Sequence, residues 1–495
     1  MTKITIIGGG SYSWGPTFVK DILIAPELAG STIVLHDIDA ERLDLIYRLG
    51  QKMLGTLDRP YTLQQTLSLD EALSGADFII LTITTGGLET MRPDLEIPWK
   101  YGIRQAVGDT VGPGGLSRAL RNIPALAHIA ARVNALCPNA FLLNYTNPMS
   151  TSTRVLNRAR TTPRRTVGLC HEYIGVREKL ARYFNVKAEQ IQARVAGINH
   201  FIWISDLHVS GVDVWEQLPA LSEAILNHSI DLDPDDVSVF VDKAMVKATL
   251  FQHYGLLPAA GDRHVAEFLP YLITPETEWG ARYGFRLTTV DDRATMMVDD
   301  RASIESALRN EVPLAPFMAE QSGEAASNII AAVQRGDRYT GIMNLPNIGQ
   351  IANLPREAVV ETFGVIDHTG AQPLTFGVFP PAVESLIARH VANQETTVEA
   401  ALTGNRQLAL LVLLNDPLMR GLDVRSTAKM LNEMLEANRA YLPLFFLPHP
   451  PAPSPEIKQP ISEEGEWPLP SPENRFLFSG EGPGGEAITK QLNSS

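Results

Sequence analysis

The run Lys3-Ile4-Thr5-Ile6-Ile7, followed at once by Gly8-Gly9-Gly10-Ser11, constrains this chain more than any other stretch. Residues 3–7 alternate and are β-branched, which predicts a buried strand. The glycines predict a tight turn, and the run from about Pro16 to Ile24 predicts a helix. Strand, glycine turn and helix in that order are the context in which a phosphate is bound. The helix N-terminus and free N–H groups face the anion, and missing side chains permit close approach. Gly8, Gly10 and Ser11 are therefore candidate cofactor contacts. The spacing GGGSYSWG departs from GxGxxG, so a tight turn without a ligand is the competing reading.

Further strands repeat the pattern. Thr32 to Asp37 ends in an acid placed to accept from the ribose hydroxyls of a dinucleotide. A helix N-cap is the other use for such an acid, and Asp37 and Asp39 divide the two roles between them. No basic residue immediately follows Asp37, which favours NAD over NADP. Residues 77–83 form a near-continuous apolar strand, as parallel strands do, and open into Thr84-Thr85-Gly86-Gly87, a loop expected to pass under the cofactor. Residues 140–144 lead to Asn147-Pro148, and residues 166–169 deliver Cys170. Strands alternating with helices predict an α/β class: a Rossmann-like doubly wound sheet over 1–195 with loops 8–14, 84–87, 145–149 and 170–173 in one crevice.

From 196 to 448 the texture is mixed and predicts an α+β substrate and oligomerisation domain packed on the carboxyl edge of the sheet. Ile191 to Ser210 reads as antiparallel β, and helical patterns cover 237–255, 322–335 and 396–415. Residues 449–495 are a tail rich in Pro, Ser, Gly and Glu to which no function is assigned. At 495 residues two large domains are expected. A net charge of −14 argues against a nucleic-acid surface, which needs clustered Lys and Arg. The two cysteines, Cys137 and Cys170, build no disulfide framework and fit a reducing compartment. A strand starting at residue 3 leaves no room for a signal peptide, and no apolar run approaches a membrane span, so a soluble cytoplasmic protein is expected.

Cys170 and His200 are the candidate metal ligands. Singly, a strand-end cysteine is a small buried hydrophobe and a lone histidine is structural. Together behind a nucleotide loop, a soft and a borderline ligand point to a divalent cation beside a nicotinamide. Two protein ligands would leave positions open for substrate hydroxyls. His171 is a third ligand, an acid or part of the crevice wall. Asn147, held extended by Pro148, suits a sugar or cofactor hydroxyl or else an Asx turn, and Asn199 adjoins His200 as a second substrate-binding candidate. Gly108 to Leu116 is expected to be too glycine-rich for a helix and to form a mobile loop whose Asp109 acts as general acid or anchor. In Ala260-Gly261-Asp262-Arg263-His264, Asp262 is a candidate base or a capping aspartate.

These motifs in this order resemble glycoside hydrolase family 4, the NAD- and Mn-dependent glycosidases. The resemblance runs from residue 3 to about 425 through ITIIGGGSYSWGPTF, GDTVGPGGLSRALRNIP, LLNYTNPMS, VGLCHEYIG, AGINHFIWI and VEAALTGNRQLALLVLLNDP. It implies metal ligands at Cys170 and His200, a substrate asparagine at Asn147, a C2 base at Asp262 and an active-site loop residue at Asp109. It also implies a redox-assisted elimination rather than the two-carboxylate route. NAD takes hydride from C3, the ketone and metal acidify the C2 proton, the C1–O bond breaks, water adds and the hydride returns. Mn2+ is the implied ion, although Cys with His also accepts Zn, Co or Ni. Cys170-His171 resembles the branch acting on non-phosphorylated α-glycosides, and Arg263-His264 suits a uronate carboxylate. α-Galactoside and α-galacturonide are expected ahead of α-glucoside, and a homodimer or homotetramer is implied. A plain NAD dehydrogenase of the lactate or malate type is the rival enzyme. It would need no metal and would consume NAD. A non-catalytic NAD-sensing protein is the third reading.

Overall fold

The computed structural model describes residues 1–57, 59–232, 238 and 240–447. The tail read at 449–495 lies outside the described residues. Six strands follow the first half of the chain: β1 (Lys3–Ile7), β2 (Thr32–His36), β3 (Thr62–Thr66), β4 (Phe78–Leu81), β5 (Phe141–Asn144) and β6 (Thr166–Gly168). They are parallel and lie in the order 3-2-1-4-5-6. That order places a switch point between β1 and β4, where a dinucleotide crevice opens at the carboxyl ends. The period of two divides each strand between two cores. Phe78 and Ile80 join Ile4, Ile6, Phe141 and Leu143 on one face, while Ile79 and Leu81 join Ile7 and Leu142 on the other. Both faces are covered, which is why β4 and β5 read as unbroken apolar runs.

The second half extends this sheet rather than packing on its carboxyl edge. Strands β7 (Ile191–Ile198), β8 (Phe201–Val209), β9 (Val212–Asp213), β10 (Leu257–Pro258), β11 (Tyr339–Pro346), β12 (Val359–Asp367) and β13 (Gly370–Pro373) complete a 13-stranded sheet. β11 pairs antiparallel with β6 through Asn344 and Gly168, and β12, β7, β8 and β10 follow outward. Without β11, β6 would present an unpaired row of backbone groups. The boundary expected at 195/196 falls inside β7, so it marks no break in the sheet.

The expected β run at 191–210 is the β7–β8 hairpin. The expected helices correspond to Met245–Tyr254, Ala326–Arg335 and the pair Pro381–Thr403 and Arg406–Asn415, divided at Gly404. One expectation is overturned. Gly112–Leu136 is a long helix, and its glycine-rich first turn is buried rather than a mobile loop. A Cβ at Gly114 would lie 2.6 Å from the Gly108 carbonyl oxygen, and one at Gly115 would lie 2.4 Å from the Thr110 carbonyl carbon. These glycines let the preceding loop pack on the helix, and burial along the helix offsets their low helix propensity.

Candidate active site

The crevice begins at the turn after β1. Gly8 has φ +90, and a Cβ there would lie 1.8 Å from the Thr82 carbonyl oxygen after β4, so only glycine fits. The Gly8 and Gly9 N–H groups both donate to the His36 carbonyl at 2.9 Å. Gly10 N–H donates to Asp37 Oδ2 at 2.9 Å, which ties the glycine turn to the end of β2. Ser11 Oγ accepts from Trp14 N–H at 3.2 Å, at the start of helix Trp14–Ile24. Asp39 caps helix Ala40–Leu54 by accepting from the Glu41 and Arg42 amides. Asp37 Oδ1 accepts from the Ile38 and Asp39 amides at 2.8 and 3.1 Å, so this carboxylate braces the turn at the end of β2. Thr84 accepts from Arg118 Nη2 at 2.9 Å, and Arg118 Nε donates to the Asn147 carbonyl at 3.2 Å. Asn122 donates to the same carbonyl at 2.9 Å, so the loops after β4 and β5 are joined through helix Gly112–Leu136.

A group of ligating atoms gathers around His200, at the tight turn between β7 and β8. His200 sits there at φ +65 and is 3% exposed. The left-handed region costs a non-glycine residue roughly 1 kcal/mol, and such positions gather at functional sites. Asp109, His200 and His264 offer ligand atoms that all lie within 4.8 Å of one another. Thr110 Oγ1 donates to Asp109 Oδ1 at 2.7 Å and lies 2.8 Å from His200 Nδ1. Asn147 Nδ2 donates to Asp109 Oδ2 at 3.3 Å. Burial pushes His200 down to about 3, with His264 adding to the effect, so its ring is neutral as a metal ligand must be. Burial raises the Asp109 carboxyl, but His264, His200 and Arg118 outweigh it and hold the group well below the usual carboxylate range.

Cys170 follows β6 and lies outside that triad of ligand atoms. Its thiol is pushed well above its ordinary range by burial and by Glu361 and Glu172. Asn199 donates to Glu361 Oε2 at 3.0 Å and also favours the Cys170 thiolate. Glu172 Oε2 accepts from Gly261 N–H at 2.5 Å, and its other oxygen lies 3.7 Å from His264 Nε2. Several buried atoms of this region have no partner in the structure: Asn147 Oδ1, Asn199 Oδ1, His264 Nδ1 and Glu361 Oε1. An S, N and O donor set crowded with acceptors fits a divalent cation, which would also reverse the cost of a thiolate beside two carboxylates.

The other expected residues stand as follows. His171 has a half-exposed side chain, and its Nδ1 lies 3.0 Å from Glu324 Oε1, a contact that raises it to about 9. It therefore carries a proton at neutral pH at the crevice rim. Asp262 is fully buried and accepts from Lys247 Nζ at 2.7 Å and from the Val246 and Lys247 amides at 3.1 and 3.3 Å. Burial and Asp242 raise it to about 6 against the pull of Lys247. Arg263 donates to Thr288 Oγ1 at 2.5 Å and lies 4.3 Å from the Phe240 ring centroid, with Arg293 4.7 Å from the same ring. Burial and Arg293 lower the Arg263 pKa.

Sequence reasoning named no site role for Thr110, Glu172, Arg293 or Glu361, and it read His264 with Arg263 as a carboxylate holder rather than as part of the ligating group. Glu361 did carry a signal, being an acid inside the apolar run Val359-Val360-Glu361-Thr362-Phe363. Thr110 adjoins Asp109 in the quoted motif, whereas Arg293 had no signal, because tertiary structure alone brings it in.

Comparison with known proteins bears on the same crevice. Residues 3–186 match the family 4 glycosyl hydrolase model, and residues 195–419 match the model of that family's C-terminal domain. An α-galacturonidase of Bacillus subtilis (strain 168) is 36% identical over 445 residues, covering 88% of this chain and 97% of the relative. A Bacillus subtilis crystal structure that bears the name glucosidase has a TM-score of 0.81 at 35% identity, covering 88% of this chain and 100% of that one. The 6-phospho-β-glucosidase of Thermotoga maritima, solved with manganese, NAD+ and glucose 6-phosphate, has a TM-score of 0.72 at 25% identity, covering 89% and 99%. Among the described residues no helix is long and apolar enough to cross a membrane. A 3-2-1-4-5-6 nucleotide sheet, a partly buried thiol and a buried imidazole at its edge, and family matches over residues 3–186 and 195–419 converge on one conclusion: the chain belongs to family 4 of the glycoside hydrolases.

Proposed function

We propose that this glycosidase hydrolyses a non-phosphorylated α-galacturonide, with α-galactoside as the second reading. The observation that carries the choice is the pair of guanidinium groups, Arg263 and Arg293, stacked on Phe240. Arg263 also interacts electrostatically with Asp109 and Glu172 of the ligating cluster. A uronate carboxylate at C6 gains charge-assisted hydrogen bonds from such groups, whereas a neutral hydroxymethyl does not. The α-galacturonidase name of the relative at 36% identity supports the same choice.

NAD and a divalent cation, Mn2+ in the first instance, supply a reversible hydride acceptor at C3 and a Lewis acid for the oxygens at C2 and C3. In this reading Gly8, Gly10, Ser11, Asp37 and Thr84 hold the dinucleotide, and Cys170 and His200 hold the metal with Asp109 and His264 beside them. Asn147 and Asn199 orient the sugar hydroxyls. Burial and Asp242 raise the Asp262 carboxyl above the ordinary range, the direction that suits a base near neutral pH. Its enclosure by Lys247 means that this role requires the Val246–Lys247 backbone to move aside. His171, which its contact with Glu324 keeps protonated, takes the role of an acid toward the departing group in this reading. Assembly as a homodimer or homotetramer and a cytoplasmic location belong to the same proposal, and light scattering tests the first.

The test is turnover in D2O with NAD, Mn2+ and a reductant on aryl α-galacturonide, α-galactoside and α-glucoside, with a 6-phosphoglycoside alongside. Aglycone release from the galacturonide, with deuterium at C2 and dependence on NAD and Mn2+, is the expected result. Replacing Arg263 by Ala raises KM for the galacturonide about 10–100-fold, the range of a lost charge-assisted contact, and leaves the galactoside unchanged. Steady NADH accumulation without aglycone release would return the chain to the dehydrogenase reading.

A further inference from the structure

We propose that Thr110 is a positioning residue that sets the tautomer of His200 and with it the capacity of that ring to bind the divalent cation. The proposal rests on the reading of His200 as a metal ligand. A threonine hydroxyl carries one proton and two lone pairs. Thr110 Oγ1 has two close partners, Asp109 Oδ1 at 2.7 Å and His200 Nδ1 at 2.8 Å. A carboxylate only accepts, so the hydroxyl proton goes to Asp109. The other Asp109 oxygen also accepts, from Asn147 Nδ2 at 3.3 Å. The hydroxyl then offers His200 a lone pair, so Nδ1 carries the hydrogen and donates. Nε2 keeps its lone pair, and that is the atom a cation takes. In the reverse arrangement Thr110 would donate to Nδ1 and Nε2 would be protonated and closed to metal. The Thr110 and Asp109 oxygens would then face each other at 2.7 Å without a proton between them.

Thr110 has little freedom to leave this position. Glu267 Oε1 accepts from the Val107 and Gly108 amides at 2.8 and 2.7 Å, and Asp416 Oδ2 accepts from Gly112 N–H at 2.9 Å. Both ends of the short loop are therefore anchored by buried carboxylates. The contact of Gly115 with the Thr110 backbone closes the remaining side. Valine at 110 keeps the shape and removes only the hydroxyl. His200 Nδ1 would then lose its acceptor at a position 3% exposed.

The test measures Mn2+ binding to the full-length protein without substrate, by the electron paramagnetic resonance signal of free Mn2+. Wild type is compared with Thr110→Val, Thr110→Ser and His200→Ala. Thr110→Val is expected to weaken the Mn2+ Kd about 10–100-fold, as loss of a partner behind a ligating histidine does. Thr110→Ser restores it to within a few-fold, and His200→Ala weakens it further still. A wild-type Kd in Thr110→Val beside a loss in His200→Ala overturns the proposal and leaves the metal reading standing. A wild-type Kd in His200→Ala overturns both. Long-range 1H–15N spectra of 15N-histidine wild type, assigned with His200→Ala, need no folded Thr110 variant. Protonated Nδ1 on His200 is expected, and protonated Nε2 overturns the proposal.

Discussion

At Cys170 the difficulty is one of charge. The thiol is partly buried, and its desolvation together with Glu361 and Glu172 adds to the cost of ionising it. Left alone it stays protonated, yet a metal ligand must be a thiolate. If Cys170 is a ligand, as proposed, cation binding releases a proton here and affinity depends on pH. The sign follows from mass action: raising the pH removes the competing proton and tightens binding. The Mn2+ Kd of wild type is expected to fall by up to about tenfold per unit as pH rises from 6 toward 8, the limit for one released proton. Cys170→Ser should bind Mn2+ at least an order of magnitude more weakly and without that slope, while NAD binding persists, since Gly8 and Gly10 do not touch Cys170. A variant that keeps the steep slope would show that another group releases the proton. Cys170, His200, Asp109 and Asn147 were legible because each adjoins a strand end or a loop whose residue types recur in nucleotide crevices. Glu361 reaches Asn199 only because β12 pairs with β7, and that pairing spans more than a hundred residues of sequence that carry no local sign of it.

Glycines at the start of helix Gly112–Leu136 show how one composition supports two opposite elements. Read locally, Gly112-Pro113-Gly114-Gly115 predicts a mobile loop, since glycine weakens a helix by roughly 1 kcal/mol per residue. In the fold the same residues are buried and allow the Gly108–Thr110 backbone to lie directly on the helix. The missing information was the contact partner, and a glycine's sequence neighbours do not report it. Gly115→Ala separates the two meanings. In a loop it would stabilise by restricting the unfolded chain. Here its Cβ would lie 2.4 Å from the Thr110 carbonyl carbon, so backbone must shift. A loss of about 1–3 kcal/mol, the range for overpacking, is expected in urea unfolding, together with weaker Mn2+ binding as Thr110 is displaced. Unchanged stability and Mn2+ affinity would mean that the loop is not seated on the helix.

Across the whole molecule the parallel half was legible as alternating elements, whereas the antiparallel half was not seen as the same sheet. Edge-to-edge joining of β6 and β11 depends on a pairing of Asn344 with Gly168 that no periodicity encodes. The union also buries groups behind the Thr110 loop that tie global stability to pH, and His390 is the clearest. It lies in helix Pro381–Thr403, is 2% exposed, and meets the Phe268 and Phe201 rings edge to face, with centroids 4.8 and 6.4 Å away. Its Nδ1 has no partner in the structure. Burial, with Arg389, pushes its pKa down to about 4. Above pH 6.5 the ring is neutral whether the chain is folded or not. As pH falls from 6.5 toward 4, the unfolded chain takes up a proton that the folded chain refuses, so stability is lost across that window and the loss levels off below it. The whole effect is no more than about 3 kcal/mol. Asp416, which lines the same small cavity, acts in the opposite sense. Burial raises it to about 6, so the folded chain takes up its proton first, and this contribution strengthens as pH falls through the same range. Total stability against pH mixes the two, but the difference between wild type and His390→Phe isolates the histidine. The variant keeps an aromatic ring against Phe268 and cannot titrate. Thermal unfolding from pH 7 to 4.5 should move the Tm difference steadily in favour of His390→Phe, and Tm profiles that stay parallel would mean that His390 reaches solvent or a carboxylate when protonated.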